Sequence, residues 1–182
     1  MKKLIVITGP SGAGLPEVVS EVFSLKQDLA SVTPLTARKM KDGEQNGQNF
    51  WFYDLEGWNT LKENGDLLET TELAGNDYGT SRRLVMDQIE QGRHVLLSVE
   101  PERAAQVKCN MPDAVCIYVE PIDPAELNNR YADSVRSSFE LNARMELAAE
   151  QRASSGYCDF FVDSSDISAA AGRILEIIKT LE

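Results

Sequence analysis

The N-terminal segment joins a short apolar run to a glycine-rich turn and then to a helix-like stretch. Leu4–Thr8 is a short run of apolar and mostly β-branched residues that ends in a threonine. This composition predicts a buried parallel strand. Gly9-Pro-Ser-Gly-Ala-Gly14 follows, and Pro16-Glu17 opens a helix to about residue 26. Glycines at this spacing permit turns that aim backbone N–H groups at a phosphate, and the helix N-terminus adds positive partial charge. The segment predicts a phosphate-binding loop, with a plain strand-to-helix turn as the alternative for the loop alone.

The two positions after this loop depart from the pattern G-x-x-x-x-G-K-S/T. They are Leu15 and Pro16, where a lysine would reach the phosphates and a hydroxyl would ligate Mg²⁺. Leucine supplies no charge, and proline supplies neither a hydroxyl nor a backbone N–H. Loss of one preorganised donor costs roughly 10²–10³ in rate. Two losses in one site therefore predict very little phosphoryl transfer.

Strand-like and helix-like segments alternate along most of the chain. Buried-type strands are predicted at 94–99 and 114–119, and a short strand at 160–162. Helices are predicted at 55–63, 81–91, 101–110, 123–131, 139–153 and 166–181. This alternation predicts an α/β fold with a parallel sheet and helices on both faces. The interval 32–76 breaks it with short strands at 32–35, 50–52 and 67–73 and a turn at 74–77. We therefore expect one domain over 1–182, with a core (1–31 and 81–182) and an inserted lobe (32–80).

Charge and cysteine content limit the partners. The net charge of −11 opposes binding to nucleic acid and to anionic membranes. Cys109, Cys116 and Cys158 lack metal-ligand spacing and are typical of reduced intracellular thiols. The apolar run at the N-terminus is too short for a signal peptide or a membrane span. We expect a cytoplasmic protein without a metal site of its own, and nothing in the sequence specifies an oligomeric state.

Four stretches of the chain resemble the guanylate kinase family at fixed spacing. They are 5–14, 38–52, 65–81 and 95–107. The most specific is Gly65-Asp-Leu-Leu-Glu69 followed by Gly75-Asn-Asp-Tyr78-Gly79-Thr80-Ser81, which is similar to the family's G-E-F-x-E…G-N-x-Y-G-T-S signature. The resemblance runs from end to end. It implies a three-layer, P-loop NTPase-type parallel sheet with an inserted GMP-binding lobe and a lid at about 132–138.

The resemblance also implies a set of GMP-binding residues. They are Arg38, Lys41, Glu44, Phe50, Glu69, Glu72, Tyr78 and Thr80. In the family, two arginines, an acid and two tyrosines hold the GMP phosphate; here Lys41 replaces an arginine without its bidentate geometry, and Phe50 replaces a tyrosine. The match implies that Glu69 reads the N–H edge of guanine, beside the hydroxyl of Thr80 and a nearby acid, Glu72. Pro34 replaces a serine that contacts the base. Taken singly, these residues also fit a solvated basic loop and an exposed strand face.

The ATP-binding half matches the family less well. The phosphate loop contributes Gly9, Ser11, Gly12, Ala13 and Gly14, and the catalytic candidates are Arg144, which matches an arginine that reaches the phosphates, and Glu100. The family's acid pair appears as Ser98 and Glu100. The lid arginines fall at Ala132, Ser134, Val135 and Arg136, where the first two are absent. Arg136 substitutes only if the loop shifts its register.

These losses all serve the triphosphate and its metal ion. The leading hypothesis is therefore a protein that binds GMP or a phosphate-bearing ligand, such as a phosphorylated protein partner, with phosphoryl transfer from ATP lost or strongly impaired. The alternative is a functional guanylate kinase that converts ATP and GMP to ADP and GDP with an atypical phosphate loop. Magnesium with ATP is expected as a cofactor only in that case. A related kinase with another acceptor is a third reading, against which Glu69 and Thr80 argue.

Overall fold

The first strand is buried along its whole length because helices cover both faces of the sheet that contains it. In this computed structural model, which describes residues 2–132 and 135–181, β1 (Leu4–Thr8) lies inside a parallel sheet. The sheet has the order β6-β1-β7-β8, with β6 (Val95–Ser98), β7 (Val115–Glu120) and β8 (Phe160–Asp163). Ile5 and Ile7 pack into one apolar cluster, and Leu4 and Val6 into another on the opposite face. The sequence prediction of an α/β fold with a parallel sheet is confirmed.

Helices with apolar stripes form the two outer layers. On the face of Ile5 lie α1 (Leu15–Leu25) and α7 (Ile167–Thr180), and on the face of Leu4 lie α3 (Arg82–Glu90) and α4 (Pro101–Asn110). Of the described helices, α5 (Pro124–Ala132) and α6 (Ser138–Ala153) pack on one another through Leu127, Tyr131 and Ala148. Within the described ranges, no helix combines the length and apolarity needed to cross a membrane.

A second sheet interrupts the alternation between α1 and α3. It has the order β3-β2-β5-β4, with β2 (Leu35–Thr36), β3 (Trp51–Phe52), β4 (Leu67–Leu73) and β5 (Asn76–Ser81). Helix α2 (Leu55–Glu63) buries Trp58 against Leu35 and Leu67. The side chain of Asp54 accepts a hydrogen bond from the Gly57 N–H and caps this helix.

The strand β5 was not predicted. The sequence favoured a turn through Asp77, because Asn-Asp-Tyr-Gly-Thr-Ser is poor in β-branched residues. Only Ala74 and Gly75, with φ of 51° and 73°, form the turn, which fits a two-residue hairpin loop. Antiparallel pairing with β4 on one side and β2 on the other supplies the strand that local propensity lacks.

Two other predicted segments also differ in position. The strand expected at 32–35 lies at Leu35–Thr36, and Ala30 forms a bridge with Val95 at the edge of the parallel sheet. Of the predicted lid at 132–138, residues 133–134, including the candidate position Ser134, lie outside the described residues. Ala132 ends α5 and Ser138 begins α6.

Candidate functional site

Two adjoining cavities open at the carboxyl end of the parallel sheet. The first, of about 1020 Å³, is bounded by the phosphate loop and by parts of α4, α5 and α6. The second, of about 570 Å³, lies between the core and the second sheet. Both cavities are lined by Ser98, Val99 and Glu100, at the end of β6. Ligands that fill the two cavities would therefore meet at this point, as a donor and an acceptor of a transferred group must.

The backbone of the phosphate loop has the geometry that an anion-binding turn requires. A Cβ atom at Gly9 would lie 2.0 Å from the carbonyl oxygen of Val119, so only glycine fits there. Gly12 and Gly14 both have φ of 80°, and Gly14 precedes α1 as its N-cap. Ser11, Gly12 and Gly14 line the first cavity. The loop therefore presents a helix N-terminus to that cavity.

The side chains that follow the loop do not complement a phosphate. Leu15 packs against the apolar core cluster, as does Ile167 of α7. Pro16 is exposed and has no N–H to offer. Glu17, in the first turn of α1, is exposed and brings its Oε2 to 3.9 Å from the Cβ position of Gly14. The start of α1 thus carries a carboxylate beside the loop.

Among the described residues that line the first cavity, Arg130 and Arg144 carry positive charge. The Arg130 Nη1 donates to the carbonyl oxygen of Gly12 at 3.2 Å, and its Nη2 donates to the carbonyl oxygen of Ser164 at 2.9 Å. Arg130 also forms an ion pair with Glu126 on its own helix. In the sequence, Arg130 shows only this i,i+4 spacing to Glu126, which is typical of a solvated helix face. The sequence analysis therefore did not identify Arg130 as a residue of the first cavity.

Arg144 lies on α6 and contacts two residues beside the cavity. Its Nη2 donates to Glu140 Oε1 at 2.9 Å, and its guanidinium lies 5.8 Å from the ring centre of Tyr131. Burial raises the pKa of Tyr131, although the charge of Arg144 lowers it in part. Arg136 lies outside the residues that line the cavity, and its backbone N–H donates to Glu140. Of the arginines that the sequence considered for the triphosphate, the structure therefore brings Arg144 to the cavity.

The residues at the metal position do not fit a magnesium ion. Pro16 has no oxygen in its side chain, and Ser98 stands where the resemblance implies an acid. The Oε2 of Glu100 accepts a hydrogen bond from Arg103 Nη1 at 3.0 Å. Across residues 2–132 and 135–181, no group of three or more His, Cys, Asp or Glu side chains is arranged to hold a metal ion. Carboxylate and water ligands are what magnesium prefers. Of the three carboxylates among the described residues that line the first cavity, Glu100 is paired with Arg103, Glu102 accepts from Gln151, and Glu17 is exposed at the start of α1.

A cation held by an ion pair lies beside the second cavity: Arg38 is outside the residues that line the cavity but contacts Phe50, which lines it. Arg38 donates through Nη1 and Nη2 to the two carboxylate oxygens of Glu44, at 2.7 and 2.6 Å. These bonds, together with the N–H of Lys41, lower the pKa of Glu44 to about 2. The hydrogen bonds to Glu44 raise the pKa of Arg38. The guanidinium also lies 5.0 Å from the ring centre of Phe50 and 5.3 Å from that of Phe52.

The other predicted GMP-binding residues divide into two groups. Phe50, Tyr78 and Thr80 line the second cavity. Lys41 and Glu72 are exposed and lie outside the residues that line it. Glu72 alternates with Thr71 and Leu73, which do line the cavity, so it falls on the other face of β4. The structure therefore does not bring Lys41 and Glu72 into the pocket that the resemblance implied.

The base-reading end is occupied by a contact that the sequence did not reveal. The Glu69 side chain has no exposed surface. Its Oε1 accepts from Thr80 Oγ1 at 2.6 Å and from Arg103 Nη2 at 2.8 Å, and its Oε2 accepts from Arg103 Nε at 2.5 Å. Burial opposes the charge on Arg103, but Glu69 and Glu100 outweigh it, so the pKa of Arg103 is raised. Arg103 lines the second cavity.

Comparison with known proteins places this arrangement in a family. The sequence model described as "Guanylate kinase" matches residues 1–181. A guanylate kinase from Prochlorococcus marinus (strain MIT 9312) is 33% identical over 98% of each chain. One from Enterococcus faecalis is 35% identical over 96% of this chain and 87% of its own. The crystal structure of guanylate kinase from Anaplasma phagocytophilum superimposes with a TM-score of 0.69 at 25% identity, covering 99% of this chain and 86% of that one. The chain belongs to the guanylate kinase family.

Proposed function

We propose that this chain binds a guanine mononucleotide or another phosphate-bearing ligand, and that transfer of phosphate from ATP is lost or strongly impaired. Membership of the guanylate kinase family supports GMP binding. The observation that carries the loss of transfer is the position of Leu15, which packs against the apolar core where a phosphate-binding lysine would stand. Pro16 beside it removes both a hydroxyl and an N–H.

Electrostatics support the impairment. A triphosphate with bound magnesium carries a high density of charge. In the usual site the lysine after the phosphate loop contacts the phosphates, while a hydroxyl and acidic side chains hold the magnesium. Arg130 and Arg144 line the first cavity, but each is paired with an acid on its own helix, Glu126 and Glu140. Turning either guanidinium toward a phosphate costs those contacts. Each missing preorganised donor lowers the rate by roughly 10²–10³.

The second cavity is better equipped to hold a phosphate. Glu44 and the rings of Phe50 and Phe52 hold the guanidinium of Arg38 in one orientation. A preoriented arginine loses little conformational entropy when the N–H groups that Glu44 leaves open bind a phosphate. Tyr78 packs against Phe50 with ring centres 5.7 Å apart and lines the same cavity. The acceptor half of the site therefore keeps its main cation.

We also propose a cytoplasmic location, with no nucleic-acid or membrane partner. A net charge of −11 supports this proposal, because nucleic acids and anionic lipid surfaces would repel the chain.

Two measurements on the unmodified protein test the proposal. In a coupled assay of ADP release with ATP, GMP and magnesium, we expect turnover far below the roughly 1–100 per second of kinases. In calorimetric titrations, we expect GMP to bind and ATP with magnesium to bind weakly or not at all. Turnover in the ordinary range would overturn the proposed loss of phosphate transfer. The absence of GMP binding would overturn GMP as the ligand.

The alternative function is an active guanylate kinase with an atypical phosphate loop. Two observations favour it: Arg130 and Arg144 both border the first cavity, and the two cavities meet at Ser98–Glu100. The curated relatives are themselves described as guanylate kinases. The ADP-release assay separates this alternative from the main proposal, since only the active enzyme turns over at the ordinary rate.

A further inference from the structure

We propose that Arg103 is a specificity-determining residue that withdraws Glu69 from full recognition of guanine. The inference rests on the proposed function, since it assumes that a mononucleotide occupies the second cavity. In its simplest form, the pocket accepts 6-oxopurine mononucleotides without selecting for the 2-amino group that distinguishes guanine. Arg103 lies on α4 and lines the second cavity.

The hydrogen bonds of Glu69 set how much of its carboxylate is available. A carboxylate oxygen accepts two hydrogen bonds through its lone pairs. Oε1 already accepts two, from Thr80 Oγ1 and Arg103 Nη2. Oε2 accepts one, from Arg103 Nε. Only one acceptor position on Glu69 remains, on Oε2.

Recognition of guanine requires two acceptor positions on the carboxylate. The edge of guanine offers the ring N1–H and the exocyclic amino group side by side, and a free carboxylate satisfies both at once. Hypoxanthine has the same N1–H and the same 6-oxo group but no amino group. The position left on Oε2 is closed to a ligand, because the Glu69 side chain has no exposed surface and Glu69 lies outside the residues that line the second cavity. The N1–H and the amino group of guanine therefore both lack a partner on Glu69, so the two bases become equivalent at this end of the pocket.

Displacing Arg103 is costly, because its ion pair with Glu69 is buried and it also pairs with Glu100, so it stays in place when a ligand enters. Glu69 has no exposed side-chain surface and Arg103 is 19% exposed. A second carboxylate, Glu100, accepts from Arg103 Nη1. Removing one partner of a buried ion pair leaves an uncompensated charge, which is strongly unfavourable. Three of the five N–H groups of Arg103 are used in these bonds, and the residue itself lines the second cavity.

The test compares GMP with inosine monophosphate by calorimetric titration. For the wild-type protein we expect dissociation constants within about three-fold of each other. For Arg103→Ala we expect GMP to bind about ten-fold or more tightly than inosine monophosphate, as one hydrogen bond to a charged group implies. The exposed Arg173→Ala, which loses only a surface pair with Glu176, is the matched control and should behave as wild type.

A second variant keeps the test decisive if Arg103→Ala does not fold. Arg103→Gln retains one amide donor for Glu69 and releases the other acceptor positions, so it should also gain preference for GMP. Adding Glu69→Gln to either variant should remove that preference, because the preference depends on the carboxylate. A purely structural role for Arg103 would change the affinity for both nucleotides equally and leave their ratio unchanged.

The outcomes separate this inference from the proposed function. Wild-type protein that prefers GMP by ten-fold would overturn the role of Arg103 and leave GMP binding intact. If wild-type protein binds neither nucleotide but Arg103→Gln prefers GMP, the ligand proposal fails for the natural chain and the role of Arg103 stands. Variants that gain no preference, or that bind neither nucleotide, would overturn the inference.

Discussion

The two cavities differ in what they keep of a nucleotide site. The phosphate-loop cavity keeps the backbone, with Gly9, Gly12 and Gly14 in the required conformations, but has Leu15 where a charge is needed. Beside the second cavity, the charge of Arg38 is kept; Glu44 holds it against Phe50, which lines that cavity. Gly9 is required by its contact with Val119 whether or not a phosphate binds. The glycines of the loop can therefore be explained by packing alone, whereas the side chains around the loop indicate whether it can bind a phosphate.

Restoring the missing side chains is expected to have the largest effect. Leu15→Lys combined with Pro16→Ser should raise ADP release by roughly 10²–10³ or more, because each restored group stabilises charge in the transition state. The lysine stem can lie along the apolar surface that Leu15 covers while its charge reaches the cavity. Steady-state kinetics with ATP, magnesium and GMP measure the change.

Leu15→Met is the control for that experiment, since it keeps an apolar side chain of similar volume and adds no charge. It should leave ADP release unchanged. If the double variant also stays at the wild-type level, the difference between the two cavities does not lie in the loop side chains, and other positions around the first cavity must account for it.

Removal of the cation beside the second cavity should have the next largest effect. Arg38→Ala should weaken GMP binding by about 10–100-fold, since hydrogen bonds to charged groups contribute about 1.5–3 kcal/mol. Calorimetric titration measures it, and Arg38→Lys should recover only part of the affinity because it lacks the bidentate fork. If Arg38→Ala binds GMP as tightly as the wild-type protein, the phosphate of GMP does not bind at Arg38. The second cavity would then no longer differ from the first in having a cation for the phosphate.

The smallest expected effect concerns the pH dependence of the Arg38–Glu44 pair. The pKa of Glu44 falls from 4.5 to about 2 on folding, chiefly through its hydrogen bonds with Arg38. The pair therefore stabilises the fold above pH 4.5, and this contribution is lost as the pH falls toward 2. The urea midpoint of wild-type protein should exceed that of Glu44→Gln at pH 6, and the gap should narrow below pH 4.5.

The exposed pair of Glu176 with Arg173 provides the comparison, because surface pairs contribute little to stability. Glu176→Gln should shift the urea midpoint less than Glu44→Gln does at pH 6. A gap between wild type and Glu44→Gln that is independent of pH would show that Glu44 acts through packing and not through its charge.

Segments whose signal is local were predicted with accurate bounds. The strand β1 follows from its apolar run, and α2 follows from its Asp54 cap and its closing Asn64-Gly65. The strand β4 was also placed correctly. The strand β5 was missed because Asn76, Asp77 and Gly79 are poor strand formers, and the pairing of β5 with β2 and β4 decides its conformation.

By itself, the sequence determined the α/β class, the phosphate loop and the absence of a lysine and a hydroxyl after it, because each depends on residues that are neighbours in the chain. Only the tertiary structure placed Arg130 on the carbonyl of Gly12 and Arg103 on Glu69. These contacts join residues 118 and 34 positions apart. Sequence periodicity shows which face of a helix a side chain occupies, but the partner of a buried charge depends on how distant elements pack. For this reason, the pairing of Glu69 with Arg103 could not be predicted.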